Sequence, residues 1–346
     1  MEIKELILEK IRQKGQVGSR EIVMETGFSR AYINRFFKEL CEEGSILRVG
    51  KTNRSKYIPA GEKEIFAEIE SIKKVHRILK NEKLQEDIIF NNIRKTSAIT
   101  KNLRKNVLEI LNFAFTEMLN NAIEHSKSEK IEVFFEKRPG SVLFIIRDWG
   151  VGIFNNIMAK KGLSNQMEAV QDLIKGKQTT APATHSGQGI FFTSKVCDVL
   201  NIQGSDKKII FNNLIDDVFI TSNKPIQGTR ILFSINLNSG RDIRKTFNIY
   251  TDENYSFNKS EVNIKLYEDD LNYVSRSQAR RVLAGLDNFE HVVLDFKSVD
   301  MVGQAFTDEI FRVWKKVHPE INIEYKNANE DIIFMIERAK KQEIIQ

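Results

Sequence analysis

A polar pair set into an otherwise apolar helix constrains this chain more than any other feature. The stretch 113–126, FAFTEMLNNAIEHS, is a strong helix former. Its apolar residues recur at helical spacing, at Phe115, Met118, Leu119 and Ile123. Glu117 and Asn121 therefore project from one face, about one turn apart. A carboxylate and an amide arranged in this way suit a water molecule and a hard cation, whereas a surface helix with a solvated side is the plainer interpretation.

The first 60 residues have the pattern of a compact helical unit. Apolar spacing predicts helices over 3–14, 19–25 and 29–43, with a tight turn at Gly27 between the second and the third. Two short helices joined by a glycine-containing turn are typical of a helix-turn-helix.

Two short extended runs around 50–55 follow and predict a β-hairpin with a basic surface. The candidate DNA contacts lie on the third helix and on this hairpin, at Arg30, Tyr32, Asn34, Arg35, Lys38, Arg48, Lys51 and Arg54. The segment resembles winged helix-turn-helix domains, which implies a recognition helix in the major groove and a wing on the phosphates. The alternative is a winged helix that contacts protein, with the basic residues as a solvated face.

Residues 61–105 are charged, and we expect a helical linker there. His76 lies in it, in SIKKVHRILK. Sensor histidine kinases carry their phosphorylated histidine on a helix ahead of the ATP-binding domain, but His76 lacks their acidic neighbour and following proline. We therefore favour a solvated histidine on a helix.

Residues 106–240 contain most of the polar motifs. Two strand-like runs joined by Pro139-Gly140 follow the opening helix. Four motifs appear in order, namely Glu117-x-x-x-Asn121 on a helix, Asp148-x-Gly150-x-Gly152 after a strand, Gly187-x-Gly189 before a helix, and Gly228-Thr229 before a strand. Glycines after a strand-end carboxylate allow close approach of a planar ligand, and amides at a helix N-terminus favour phosphate oxygens.

That order of motifs resembles the GHKL ATPases, the superfamily of gyrase, histidine kinases and anti-sigma serine kinases. The resemblance implies the Bergerat fold, an α/β sandwich with helices on one face of a mixed sheet. It implies that Asp148 hydrogen-bonds the adenine amino group and that Gly150 and Gly152 line the adenine pocket. Thr229 would support the water network that contacts adenine.

On the phosphate side, the resemblance implies that Asn121 binds Mg²⁺ and that Glu117 polarises a water or a substrate hydroxyl for attack on the γ-phosphate. Gly187 and Gly189 would close over the phosphates. Further residues that either meet phosphates or stay solvated are Lys175, Lys177, His185 and Ser186. Phosphoryl transfer depends on positioning and charge neutralisation, which these groups supply, so ATP and Mg²⁺ are the expected cofactors.

Glu117 also bears on the choice between kinase and hydrolase. Histidine kinases often have another residue there, because their acceptor needs no base, whereas a glutamate resembles the ATPases and the anti-sigma serine kinases. No lysine-containing P-loop motif is present, so a P-loop nucleotide site is disfavoured.

Residues 246–346 alternate strands and helices, which predicts a small α/β domain with a partly parallel sheet. The run VVLDFKSVDMVGQAFTDEIF resembles the STAS family, and more closely its STAS-like branch. Where anti-anti-sigma STAS proteins carry a phosphorylated serine, this chain has Gly303-Gln304-Ala305, and the nearest hydroxyl belongs to Thr307. Three acidic residues either form a pocket or serve as caps and solvated groups, namely Asp295, Asp300 and Asp308.

With 346 residues and 41% hydrophobic content, the chain is expected to be an α/β multidomain protein. No signal peptide or membrane span is expected, which favours a cytoplasmic protein, and a net charge of +6 permits a polyanionic partner. The favoured function is a DNA-binding regulator switched by ATP. Two alternatives are a serine/threonine kinase acting on a STAS-type partner and a non-catalytic ATP-bound scaffold. Double-stranded DNA, a protein bound through the STAS-like segment and a second copy of the chain are the expected macromolecular partners.

Overall fold

The computed structural model describes residues 3–49, 55–59, 73–176, 188–253, 256–267 and 273–341. Six of the candidate residues fall outside these ranges, namely Lys51, Arg54, Lys177, His185, Ser186 and Gly187. The chain forms two compact units, of which the first holds residues 1–72 with 96–98 and the second holds 73–95 with 99–346.

Over residues 3–49 and 55–59, the first unit forms three helices and a two-stranded antiparallel hairpin. Its elements are α1 (Ile3–Lys14), α2 (Ser19–Thr26), α3 (Arg30–Glu42), β1 (Ile46–Val49) and β2 (Lys56–Pro59). Phe37 of α3 stacks on Tyr57 of β2 with ring centroids 4.0 Å apart, and Val17 pairs with Tyr57 through the backbone. The apolar stripes that predict the helices thus form one core between helices and hairpin.

The second unit begins with a five-stranded sheet and its helices, here called the antiparallel half (residues 74–236). Along the chain its elements are β3 (Lys74–Lys80), α4 (Glu86–Thr96), α5 (Lys105–His125), β4 (Lys130–Arg138), β5 (Ser141–Asp148), α6 (Ile153–Lys161), α7 (Gln166–Lys175), α8 (Gly189–Val196), β6 (Val199–Asn212) and β7 (Asp217–Asn236). The strand order is β3-β4-β5-β7-β6.

The expectation of a mixed sheet is wrong for these strands, because every described pair in this sheet is antiparallel. The reason lies in the long hairpin of β6 and β7. It inserts β7 between β5 and β6, which run in the same direction, so no two parallel strands are neighbours.

The expectation of a continuous helical linker is also wrong, since residues 74–80 form the edge strand β3. Their side chains alternate between exposed and half-buried positions, which is the period of a strand. His76 therefore lies on a strand rather than a helix, with its Nε2 2.6 Å from an Oε of Glu132 on β4. The helix α4 follows and contributes Phe90 to the core of the antiparallel half.

The helices of the antiparallel half cover one face of the sheet. The inward side chains are paired across the strands in rows, because side chains on a strand alternate between its faces. One row joins Phe135, Phe144 and Phe233, and Phe144 stacks on Phe233 with centroids 4.8 Å apart. Phe115 of α5 closes on this row from the helical layer, with its centroid 5.5 Å from that of Phe144.

The second unit continues through helix α9 (Ile243–Tyr250) into a three-stranded sheet, here called the parallel half (residues 259–341). Its elements are β8 (Lys259–Asn263), α10 (Arg276–Leu283), β9 (His291–Asp295), α11 (Gln304–Asp308, continued by a π-helical turn at Glu309–Trp314 and by Lys315–Val317), β10 (Asn322–Lys326) and α12 (Glu330–Lys341). The order is β10-β9-β8, and both strand pairs are parallel.

None of the described helices is both long enough and apolar enough to cross a bilayer. The two cysteines, Cys41 and Cys197, are free thiols. Burial raises the pKa of Cys197 to about 12, so this thiol stays protonated near neutral pH.

The Phe135–Phe144–Phe233 row predicts where stability is concentrated. We expect Phe144→Ala to lower the free energy of unfolding by about 3–5 kcal/mol, because a fully buried ring is removed from a packed layer. Ile78→Ala is the matched control on edge strand β3, where the side chain is 59% exposed. A loss of about 0.5 kcal/mol or less is expected there. Urea denaturation of both variants measures the difference, and equal losses would contradict this packing.

Candidate functional site

Helix α5 presents Glu117 and Asn121 on the side that is not packed into the core. Its apolar face is buried by Phe115, Met118, Leu119 and Ala122, while Glu117 and Asn121 are both half-buried. The side chain of Asn121 makes no hydrogen bond to any residue that the structure describes, so its amide is available to a ligand. The spacing that predicts a shared face is therefore realised.

The N-terminus of α8 lies directly against Glu117. A Cβ atom at Gly189 would fall 2.0 Å from Oε2 of Glu117, so a side chain at this position would force the carboxylate to shift. A helix N-terminus carries a partial positive charge, which favours a carboxylate beside it. The structure thus brings together two residues of separate motifs, Glu117 and Gly189.

Asp148 is buried because of the register of its strand. Phe144 and Ile146 face the helical layer, and Asp148 occupies the next inward position of β5. Its Oδ1 accepts hydrogen bonds from the backbone N–H groups of Gly150, at 2.9 Å, and of Thr229, at 3.2 Å. Burial raises the pKa of Asp148 above its ordinary value, and these hydrogen bonds oppose that shift in part.

Gly150 fits the loop after β5 against the end of α5. A Cβ atom at Gly150 would lie 1.7 Å from the carbonyl oxygen of Ser126, which no side chain can tolerate. The same carbonyl accepts a hydrogen bond from the N–H of Val151 at 2.8 Å, and Ser128 Oγ accepts one from the N–H of Trp149 at 3.1 Å. These contacts fix the loop to the helix that carries Glu117.

A second glycine contact closes the loop on β7. Gly152 has a φ of 80°, and a Cβ there would meet the carbonyl oxygen of Gly228 at 3.2 Å. A Cβ at Gly228 would fall 2.2 Å from the carbonyl oxygen of Asp148. Thr229 Oγ1 accepts a hydrogen bond from the N–H of Ile153 at 3.0 Å. Asp148, Gly150, Gly152 and Thr229 are therefore neighbours.

The sequence interpretation missed Ser126, Ser128 and Gly228 as parts of this site. Gly228 was visible in the Gly-Thr motif, since a glycine before an inward threonine at a strand marks a close backbone approach. No pattern in the sequence signals Ser126, because its role depends on a carbonyl group that every residue has.

Lys175 does not point towards a phosphate site. Its ammonium donates hydrogen bonds to the carbonyl oxygens of Arg281, at 2.9 Å, and Ala284, at 2.7 Å, at the C-terminal end of α10. Burial lowers the pKa of Lys175 to about 8. The other three candidates of this group, Lys177, His185 and Ser186, lie outside the described residues.

The candidate residues of the parallel half are explained by local structure. Thr307 is fully buried, and its hydroxyl donates to the carbonyl oxygen of Gln304 at 3.1 Å. Asp308 forms an ion pair with Arg312, and Asp295 accepts from Asn327 Nδ2 at 2.8 Å. Among the described residues no cluster of His, Cys, Asp or Glu is suited to a metal ion.

In the first unit, the candidate DNA contacts that the structure describes are all exposed, at Arg30, Tyr32, Asn34, Arg35, Lys38 and Arg48. Ser29 caps α3 by accepting a hydrogen bond from the N–H of Tyr32 at 3.3 Å. The cap fixes the start of the helix, and the four-residue spacing places Arg30, Asn34 and Lys38 along one exposed side of it.

Comparison with known protein families identifies two domains in this chain. Residues 91–212 match the histidine kinase-like ATPase domain, and residues 278–332 match a STAS-like domain of unknown function. The first match contains Glu117 and Asn121 of α5 and the loop after β5. Strands β3 and β7 lie outside it but belong to the same sheet. No curated protein matches the chain.

The buried carboxylate of Asp148 predicts a specific dependence of stability on pH. Its pKa is raised from 3.8 in the folded protein, so the folded state holds the proton more tightly than the unfolded chain. The associated stability is present below about pH 4 and is lost as pH rises through the folded-state pKa. Asp148→Asn removes this loss while keeping the acceptor oxygen.

The quantity to compare is the difference in unfolding free energy, wild type minus Asp148→Asn. We expect this difference to fall as pH rises above 3.8 and then to level off. Denaturant titrations of both proteins over a pH series measure it. Asp300→Asn, at an exposed carboxylate of the parallel half, is the control. A wild-type minus Asp148→Asn difference that does not change with pH contradicts the burial argument.

Proposed function

We propose that this chain is an ATP-controlled regulatory protein that binds Mg-ATP through residues 106–240 and DNA through residues 1–60. Strand β3 and helix α4, at 74–96, add to the sheet and core of the ATP-binding part, and residues 246–346 form the STAS-like regulatory part. The observation that carries the proposal is the buried Asp148, whose strand end is joined to α5 and β7 by close backbone contacts at Gly150, Gly152 and Gly228.

On the adenine side, Asp148 accepts a hydrogen bond from the exocyclic amino group of the base. Its Oδ1 is occupied by two backbone N–H groups, while a carboxylate has lone pairs for further donors on its second oxygen. A buried acceptor of this kind selects a base with an amino group over one with a carbonyl group, because an unpaired buried carboxylate is costly. Gly150 and Gly152 line the pocket, and Thr229 holds water beside the base.

On the phosphate side, Asn121 supplies an amide oxygen to Mg²⁺, which when bound neutralises charge on the triphosphate. Glu117 accepts a proton from the attacking water as its oxygen bonds to the γ-phosphorus. The bond from that phosphorus to the bridging oxygen breaks, and ADP leaves with the bond pair. Gly189 keeps the N-terminus of α8 close to this carboxylate.

A serine/threonine kinase is the second candidate function, because Glu117 serves a protein hydroxyl as readily as a water. Thr307 is fully buried, and its hydroxyl is engaged by a backbone carbonyl. This burial favours an acceptor on another protein over Thr307. Incubation with γ-labelled ATP separates the two functions, since hydrolysis releases free phosphate and a kinase leaves label on protein.

For the first unit, we propose that α3 enters the major groove and that the hairpin contacts phosphates. Arg30, Asn34 and Lys38 share the exposed side of α3. Basic side chains provide the salt-dependent part of DNA affinity, and an amide reads a base edge. Phe28 and Tyr32 are exposed beside them, so a protein partner is the competing occupant of this surface.

Glu117→Gln tests the chemistry of the ATP site. We expect turnover to fall about 100-fold or more, because the proton acceptor is lost. The affinity for Mg-ATP should stay within about threefold, since the amide keeps the shape of the side chain.

The matched control is Glu109→Gln. Glu109 lies earlier on the same helix, its side chain is partly exposed, and this variant should keep the wild-type turnover. Phosphate release and equilibrium binding are the measurements. A wild type that binds Mg-ATP without any turnover would leave the chain as an ATP-bound scaffold and contradict the catalytic role.

Arg30→Ala tests the DNA surface. We expect weaker binding to a random-sequence duplex and a slope of log affinity against log salt that is smaller by about 1, because one phosphate contact is lost. Arg12→Ala removes the same charge from the exposed side of α1 and should leave the slope unchanged. Fluorescence anisotropy over a salt series measures both. Equal slopes for the wild type and Arg30→Ala would contradict DNA binding through α3.

A further inference from the structure

Helix α8 has two different neighbours, and only one of them belongs to the ATPase domain. Its first residue, Gly189, lies against Glu117. Its side chains Phe191 and Phe192 instead belong to the hydrophobic core of the parallel half. Phe191 packs on Phe257 with ring centroids 4.6 Å apart. The position of α8 therefore depends on the parallel half as well as on α5.

An aromatic stack ties the same helix to α5 through the connecting helix α9. Phe192 stacks on Phe247 of α9 with centroids 3.9 Å apart and nearly parallel rings. Phe247 in turn meets the edge of Phe113, one helical turn before Glu117, at 5.6 Å. Such stacked and edge-on pairs add to the burial of apolar area and hold a fixed geometry.

A network of charges joins α8 to the parallel sheet. Lys195 Nζ lies 3.5 Å from Glu261 on β8, and Lys326 Nζ on β10 lies 2.8 Å from the same carboxylate. The hydroxyl of Tyr250 donates to Glu261 at 3.3 Å. Burial alone would raise the pKa of Glu261, but Lys195 and Lys326 lower it to about 2, so the network is fully charged near neutral pH.

Two further contacts hold the antiparallel half against the parallel half. Lys175, at the end of α7, donates to the carbonyl groups at the end of α10. Lys297 donates to the carbonyl oxygen of Asp216, in the turn between β6 and β7, at 2.6 Å. Asp295 and Lys326 mark the C-terminal ends of β9 and β10, the edge at which parallel sheets usually bind ligands. In this chain that edge holds the ATPase domain.

We propose that the parallel half, which contains the STAS-like domain, is a positioning element of the ATP site. Its Glu261 acts on Lys195 and so holds α8 where Gly189 meets Glu117. This inference rests on the proposed function. Glu261 is a positioning residue, because in the described contacts Glu261 touches neither the Glu117 carboxylate nor the residues around Asp148. The adenine side depends on α5, β5 and β7 and is independent of this network.

The double variant Lys195→Met with Glu261→Gln tests the proposal, because it removes both charges without leaving one unpaired partner between α8 and β8. Lys326 keeps Asp295, 3.4 Å away. Arg280→Met with Glu309→Gln is the matched control, an ion pair of 2.7 Å between α10 and α11 inside the parallel half. Lys195→Arg is the conservative variant.

We measure the affinities for Mg-ATP and for Mg-ADP, and the turnover, in the full chain. The double variant should lose about tenfold in ATP affinity and in turnover, while its ADP affinity stays within about twofold, because only the contacts around the γ-phosphate depend on α8. Lys195→Arg should restore most of the loss, and the control should match the wild type.

Equal losses for ATP and ADP, or the same losses in the control, would overturn the positioning role and indicate a purely structural one. An unchanged double variant would overturn it as well. A wild type that fails to bind Mg-ATP at all would instead contradict the proposed function, so the two failures are distinguishable.

Discussion

The candidate ATP site depends on one constraint, the burial of the Asp148 carboxylate at an inward position of β5. The register that stacks Phe144 on Phe233 also directs Asp148 away from solvent. A carboxylate in that position must have partners, and the backbone N–H groups of Gly150 and Thr229 provide them. The loop after β5 therefore has to fold back on β7 and on the end of α5, and glycines are required wherever it does so.

The same constraint explains how the site joins distant parts of the chain. The carbonyl of Ser126, at the end of α5, is held by the loop that follows Asp148, so the helix with Glu117 and Asn121 is fixed relative to Asp148. The N-terminus of α8, which lies against Glu117, has a separate support, because Lys195 of α8 pairs with Glu261 in the parallel half. One part of the candidate site is thus tied to α5 and β7, and the other part is tied to the parallel half.

The sequence predicted helix α5 of the candidate site but not the sheet around it. The motifs gave Glu117, Asp148, Gly150 and Thr229 as candidates; the fold makes Asp148, Gly150 and Thr229 neighbours, and the roles of all four stay predictions. The expectation of helix fails at β3 because its charged residues mask an alternation that only pairing with β4 makes stable. The direction of Lys175 towards α10 was not predictable either, because side-chain partners across domains depend on docking that no local pattern records.

Calorimetric titration of Mg-ATP into the wild type and into Asp148→Asn tests the central claim most directly. The variant retains an acceptor oxygen for the N–H groups of Gly150 and Thr229, but it offers the adenine amino group an amide in place of a carboxylate. The account predicts saturable binding to the wild type at one site, and a loss of about 100-fold or more in affinity for the folded variant. Equal affinities of the two proteins for Mg-ATP would contradict it.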